Sequence, residues 1–131
     1  MPVEASFQGD APVYVYFQFQ EPWTIKEFRD ANAIAGAWVR NLDYDVDAIF
    51  DFGDSSVLPS YAISEGLDGL RRSQQLPNQG KTIVVTRSIF VRRIVQVIAR
   101  LAPTAGMSIC RDVEEARAVV ARNWEKQTRD R

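Results

Sequence analysis

The chain has 131 residues, of which 46% are hydrophobic and 25% charged, and its formal net charge is −1. This length suits one domain that buries its own core without disulfides. Histidine is absent and cysteine occurs once, at Cys110, which excludes a Ser-His-Asp or Cys-His catalytic centre and a cysteine-rich zinc site within the chain. The single cysteine, the lack of an apolar run of about 20 residues and an N-terminus without a secretory pattern predict a cytoplasmic protein with no membrane span.

The charge is divided unevenly along the chain. Residues 1–68 contain 12 acids and 3 bases, a net charge of −9, whereas residues 69–131 contain 5 acids and 13 bases, a net charge of +8. Halves of opposite charge favour pairing within the fold, pairing with a second copy, or a basic surface for an anionic partner. A surface on which the charges intermix after folding explains the same numbers.

The first predicted elements are an arm, a strand and a helix. Residues 1–12 contain prolines and a glycine without periodicity, so we expect an N-terminal arm there. The β-branched and aromatic run Val13–Phe19 predicts a strand. Thr24 followed by Glu27 forms a capping box, which predicts a helix that ends near Asn41.

The middle of the chain predicts a second strand and a second helix. In Asp45–Phe52, apolar residues alternate with others, so the end of this strand is expected to meet the core on one face and the solvent on the other. Gly53–Pro59 forms the following loop, and Ser60 is placed to cap a helix. Gly66 and Gly69 weaken that helix and favour close packing against it.

The last third predicts two more strand-helix pairs. Thr82–Thr86 is a short apolar strand of the buried, parallel type, and Ser88 is placed to cap the helix after it. Met107–Cys110 predicts a fourth strand, and Asp112 with Glu115 forms a second capping box. Cys110 is expected in the core rather than as a reactive thiol.

The predicted order is therefore β-α-β-α-β-α-β-α, which indicates an α/β fold with a mainly parallel sheet of four to five strands and crossover helices. We predict one domain over residues 13–125, followed by a frayed tail over residues 126–131.

Two motifs suggest chemistry that their context does not support. Asp51-Phe52-Gly53 spells the magnesium-binding tripeptide of protein kinases, but the glycine-rich loop, strand lysine and catalytic loop of a kinase are missing. The acids of residues 43–54 lack the glycine and glutamate of a calcium-binding loop. We therefore predict no metal site, no cofactor and no catalytic residue.

An anion site is predicted at the start of the third helix. Arg87, Ser88 and Arg92 lie where a strand ends and a helix begins, and free N–H groups at such a point attract anions. Ordinary exposed arginines explain the same residues. The slightly acidic total charge and the lack of a basic-aromatic stripe argue against a nucleic-acid partner.

From Val13 onwards the chain resembles the STAS / SpoIIAA-like family. The likeness is greatest in GKTIVVTRSIFVRRIVQVI and in SICRDVEEARAVV. This half of the chain is similar to small bacterial STAS-like proteins. The resemblance implies a SpoIIAA-like fold and a non-enzymatic regulatory or protein-interaction module. The resemblance implies a regulatory protein partner, and the opposed charges and the aromatic first strand predict a homodimer.

The family also implies a phosphorylation switch. In its anti-sigma-factor antagonists, a partner kinase phosphorylates a serine at the start of the helix after the second core strand. When Asp51 is aligned with the polar residue that ends that strand, Pro59 takes the place of this serine and Ser60 is the nearest hydroxyl. The sequence Asp54-Ser55-Ser56 lies four residues earlier, and Tyr61 replaces the family's usual glycine.

A second hypothesis assigns the fold to ligand binding. Apolar helices packed over a sheet can enclose a pocket, and some relatives on this fold resemble lipid-binding modules. The chain would then bind or sense a small apolar or anionic, lipid-like ligand.

Overall fold

The computed structural model describes residues 2–59, 61–73, 78–102 and 106–129, which form five strands and four helices in one α/β domain. In chain order they are β1 (Val3–Gln8), β2 (Tyr14–Phe19), α1 (Ile25–Val39), β3 (Val46–Gly53), α2 (Ala62–Ser73), β4 (Gln79–Thr86), α3 (Ile89–Leu101), β5 (Ser108–Cys110) and α4 (Val113–Arg129).

The sheet follows the order of the chain, β1-β2-β3-β4-β5. β1 pairs with β2 in antiparallel fashion, and the other neighbours are parallel. Parallel crossovers are right-handed, and here each one moves to the next strand in the same direction along the sheet. The helices of successive crossovers therefore lie on the same face of the sheet. The predicted mainly parallel α/β sheet is confirmed.

The two faces of the sheet carry different numbers of helices. On one face, α1 packs Ala31 and Ala35 into a cluster with Val15 and Phe17, and α3 packs Val91 and Val95 against Val84. On the other face, α4 packs its buried side chains against β3, β4 and β5. The helix α2 lies with α1 and α3 and contacts α3.

The predicted capping residues of α1 and α3, Thr24 and Ser88, are confirmed. Thr24 Oγ1 accepts from the backbone N–H of Glu27 at 3.1 Å, and the Glu27 carboxylate accepts from the backbone N–H of Thr24 at 3.0 Å. Ser88 Oγ accepts from the backbone N–H of Val91 at 3.2 Å. Each side chain satisfies helix-terminal groups that have no partner inside the helix.

The N-terminal segment differs from the sequence-based expectation. Residues 3–8, predicted as part of an arm, form strand β1, whose Val3 pairs with Phe19 and lies 3% exposed in the α1 cluster. The alternation of Val3, Ala5 and Phe7 with polar residues is a strand pattern of period two. Its short length beside two prolines hid it from sequence analysis.

The C-terminal helix also runs further than expected. α4 continues to Arg129 rather than fraying after residue 125. Its Gln127 side chain accepts from the backbone N–H of Asp45 at 3.0 Å and donates to the carbonyl of Asp45 at 2.9 Å. These two bonds hold the last turns of α4 against the start of β3, which sequence periodicity does not reveal.

The entry into β3 is covered on both faces, whereas Asp51 and Phe52 at its end are partly exposed. Asp47 is 6% exposed and Ile49 is fully buried, because α4 lies over them. The predicted helix cap Ser60 lies outside the described residues.

Among the glycines, Gly80 on β4 has the least room for a Cβ atom. A Cβ atom built there would contact Asp47 Oδ1 and lie 2.7 and 2.8 Å from the carbonyl carbon and oxygen of Val46. The β3–β4 register shifts between Val46 and Ala48, at the same place.

We expect Gly80→Ala to lower the free energy of unfolding by about 1–3 kcal/mol, because backbone atoms must move to admit the methyl group. Gly69→Ala in α2 is the matched control, since no atom lies within 4 Å of its Cβ position. Gly69→Ala should raise the free energy of unfolding by up to about 1 kcal/mol, because alanine has a higher helix propensity than glycine. Urea denaturation measures both, and equal effects of the two substitutions would contradict the close approach at Gly80.

Candidate ligand-binding crevice

An open crevice of about 470 Å³ lies between α1 and α2. Its walls carry small residues three positions apart, Ala33 and Gly36 on α1 and Gly66 and Gly69 on α2. Residues at this spacing share one face of a helix. Their side chains are too short to fill the space between the helices, so the sheet is reached from outside between them.

The floor of the crevice is apolar and comes from the three central strands. Side chains of β2 and β3 provide most of it, with Thr82 of β4. The floor residues are Val15, Phe17, Val46, Ala48 and Phe50. Because these side chains are rigid or branched and belong to the sheet core, the floor is a preformed surface.

A second, smaller cavity of about 90 Å³ lies deeper, between the sheet and the three helices of that face. It shares Phe28, Phe50, Gly66, Leu70 and Thr82 with the crevice as lining residues. Its other walls are aromatic side chains at the start of α1 and aliphatic ones on α3. The two spaces are therefore neighbours on the same face of the sheet.

One residue that lines this deeper cavity has an unusual polar atom. Trp23 lines the cavity, and its indole Nε1–H is buried and has no acceptor among the described residues. A buried donor without a partner costs about 1–3 kcal/mol. The ring itself is held by Phe19, Phe28 and Phe52, with centroids 4.8 to 6.4 Å away.

Charged side chains lie at the rim of the crevice. Arg29 of α1 forms an ion pair with Glu65 of α2, in which Arg29 Nε lies 3.3 Å from Glu65 Oε2. Arg72 also lines the crevice, is exposed, and has no ion-pair partner among the described residues. The rim therefore offers at least one free guanidinium group above an apolar floor.

Asp47 lines the crevice, but its carboxylate already accepts hydrogen bonds from other residues of the protein. Asn123 Nδ2 donates to it at 2.9 Å, and the backbone N–H of Lys81 donates to it at 2.7 Å. Burial raises the pKa of Asp47, against the lowering effect of these two hydrogen bonds. Asp47 thus links β3 to β4 and α4 and is not available to a ligand in the crevice.

The opposite face of the sheet holds a second polar group, which is internally satisfied. The Tyr16 hydroxyl donates to Asp51, and Arg117 Nε donates to the Tyr14 hydroxyl at 3.2 Å. Burial, followed by the hydrogen bond to Asp51 and its charge, raises the pKa of Tyr16. This tyrosine therefore stays protonated near neutral pH and acts as a donor.

Cys110 is buried on the same face, in a cluster with Ile83 and Ala116. Burial is the main cause that raises the pKa of its thiol. A thiol of this kind is a poor nucleophile. Its place in the core agrees with the sequence-based expectation.

The residues of the predicted anion site have local partners. Ser88 caps α3 and donates its backbone N–H to Thr86 Oγ1 at 3.1 Å. Arg87 Nη1 lies 3.4 Å from Asp54 Oδ1, with both side chains exposed, and Arg92 is exposed on α3. The structure places the three residues at one end of α3, and the anion site remains a prediction.

The start of α2 has one unusual backbone conformation. Tyr61 has a φ of 68°, in the left-handed region that favours glycine. In the predicted alignment with the STAS-like proteins, Tyr61 takes the place of their usual glycine.

Comparisons with protein-family models, curated proteins and solved structures found no match. Across the described residues, no helix is both long and apolar enough to cross a membrane. The same residues contain no group of three or more His, Cys, Asp or Glu side chains that could hold a metal ion. The STAS / SpoIIAA-like resemblance therefore remains a prediction.

Sequence analysis missed the crevice, although its walls leave a trace in the sequence. Gly66 and Gly69 were expected to allow close packing, and at Gly66 this is correct because a Cβ there would lie 2.9 Å from Ile98 Cδ1. Gly69 faces open space instead. The matching pair Ala33 and Gly36 on α1, also three residues apart, could have indicated a gap between the helices.

We expect Asp47→Asn to gain stability relative to the wild-type protein as pH rises from about 3 to 7. Unfolded Asp47 ionises near its ordinary pKa of 3.8, whereas folded Asp47 ionises only at higher pH. Its contribution to stability is therefore complete below pH 3.8 and is lost as pH rises through the folded pKa. The asparagine does not ionise, so the difference should grow by about 1.4 kcal/mol per unit of raised pKa.

Chemical denaturation at several pH values measures this difference. Asp45→Asn removes an equal charge from an exposed position and controls for the change in net charge. A difference between Asp47→Asn and the wild type that stays constant with pH would show that burial does not raise the pKa of Asp47.

Proposed function

We propose that the chain is a non-enzymatic binding module whose crevice between α1 and α2 takes a small amphipathic molecule with an apolar body and an anionic head. The observation that supports this most is the crevice itself, about 470 Å³ in volume and open between two helices. Ligand sites typically have volumes of about 300–1,000 Å³ and are mostly apolar with a few polar groups.

The apolar body of the ligand is accommodated by the floor and the deeper cavity. Ala48 and Phe50 on the floor are partly exposed, and the aromatic cluster around Trp23 lines the deeper space. Covering this surface with a hydrocarbon group removes apolar area from water at about 25 cal/mol per Å². A ligand oxygen that reaches the Trp23 indole N–H also satisfies a donor that otherwise has none.

The anionic head is accommodated at the rim. Arg72 has no ion-pair partner among the described residues, and its planar guanidinium matches a carboxylate or phosphate group. Asn32 lies on the same lining and supplies a side-chain amide. A cationic head would meet Arg72 and Arg29 and is disfavoured.

A regulatory STAS-like module is the second candidate, because Tyr61 adopts a backbone conformation suited to the glycine of those proteins. The exposed side chains of Val57 and Tyr61 lie on the β3–α2 connection, where such a module would meet a partner. The phosphorylation hypothesis depends on Ser60, outside the described residues. The homodimer, the protein partner and the cytoplasmic location remain part of this proposal.

We expect monomeric dodecanoate to bind the purified protein in isothermal titration calorimetry, and dodecyltrimethylammonium, which has the same chain and the opposite charge, to bind at least about tenfold more weakly. Gly36→Leu should weaken dodecanoate binding by at least about tenfold, or about 1.4 kcal/mol. Its side chain grows into the crevice, where no atom lies within 4 Å of the Cβ position.

Ala37→Leu is the matched control, since Ala37 follows on the same helix, is exposed and does not line the crevice. It should leave dodecanoate affinity within about twofold of the wild type. Equal binding of both probes, or equal affinities of the two leucine variants, would refute an anion-selective site in the crevice.

A further inference from the structure

The exposed side of α3 presents two parallel stripes of different chemistry. Phe90, Val97 and Leu101 are 54%, 38% and 53% exposed, and their spacing of seven and four residues places them along one line of the helix. Arg93 and Arg100 lie seven residues apart on the neighbouring line, and both are exposed. We call this set of five residues the α3 outer surface.

The α3 outer surface has a strong local positive charge. Helix α3 contains three arginines and no acid, and none of the three has an ion-pair partner among the described residues. The last turn of α2, which packs beside α3 through Leu70 and Ile98, adds Arg71. Of the acids in α2, Glu65 is paired with Arg29 and Asp68 is exposed.

We propose that the α3 outer surface docks on an anionic lipid bilayer, apart from any ligand that the crevice holds. Phe90, Val97 and Leu101 enter the boundary between head groups and acyl chains, as the apolar side of an interfacial amphipathic helix does. Arg93 and Arg100 extend their long side chains to the phosphate and carboxylate groups of the lipids at the same depth.

The shape of the surface favours a bilayer over a protein pocket. Helix α3 has 13 residues and is therefore about 20 Å long. Its exposed apolar side chains form a line along this convex rod, whereas the strongest contacts of protein interfaces cluster in central pockets. A flat, fluid surface contacts such a line along its whole length.

The charge of the surface disfavours a second copy of this chain. In a symmetric dimer, the same surface patch of both subunits forms the interface. Two copies joined through α3 would place Arg93 and Arg100 near the same arginines, and α3 has no acid to pair with them. A bilayer rich in anionic lipids supplies the missing negative charge.

The test is co-sedimentation of the full chain with vesicles of phosphatidylcholine alone and of phosphatidylcholine mixed with phosphatidylserine. The wild-type protein should sediment with the mixed vesicles and not with pure phosphatidylcholine, and added salt should weaken binding. Phe90→Ser/Leu101→Ser and Arg93→Glu/Arg100→Glu should each weaken binding by at least about tenfold.

The control is Arg122→Glu/Arg129→Glu on α4, which changes the net charge equally at two exposed positions also seven residues apart. It should bind within about twofold of the wild type. All substituted side chains are exposed, and circular dichroism verifies folding. Equal losses in the two charge variants would indicate non-specific attraction, and no binding of the wild type would overturn the proposal in favour of an acidic protein partner.

Discussion

The space available to three helices on one face of the sheet is the constraint on which this structure depends. Successive crossovers shift by one strand, or about 4.8 Å, whereas packed helix axes lie about 8–10 Å apart. Helices α1, α2 and α3 therefore cannot all sit directly above their own connections. The helix α1 is displaced towards β1, where Val3 joins Ala31 and Ala35 in one cluster.

This displacement gives β1 a clear role. The antiparallel strand extends the sheet by one position and so supplies a floor under α1. Helix α2 lies between α1 and α3. Among its described side chains, Leu70 is the one that is buried. Helix α2 packs closely against α3 where Gly66 meets Ile98, whereas a gap remains between α2 and α1. The crevice is thus a consequence of sheet order combined with small residues on two facing helices.

The single helix on the other face completes the core without such crowding. Helix α4 covers β3, β4 and β5 and holds Asp47 through Asn123. The polar contacts of this face, including Tyr16 with Asp51, are satisfied within the protein. The open apolar space is on the side of α1 and α2, as is Arg72, whose guanidinium group has no ion-pair partner in the part of the chain that the structure describes. Binding is proposed there for that reason.

Much of the fold follows from local sequence, whereas the candidate site does not. Capping at Thr24 and Ser88 and the apolar run Thr82–Thr86 depend on neighbours in the chain, so periodicity and cap residues predict them. The strand at Val3 and the last turns of α4 depend on distant partners, Phe19 and Asp45. The crevice depends on the relative placement of two helices, which composition and spacing alone do not determine.

The most direct measurement of the central claim is residue-level mapping by nuclear magnetic resonance. Uniformly ¹⁵N-labelled protein is titrated with dodecanoate, and the amide shifts are followed for every assigned residue. We expect the largest changes at the small residues on the two walls of the crevice, Ala33, Gly36, Gly66 and Gly69. Changes centred on α4, or changes spread evenly over the surface, would contradict it.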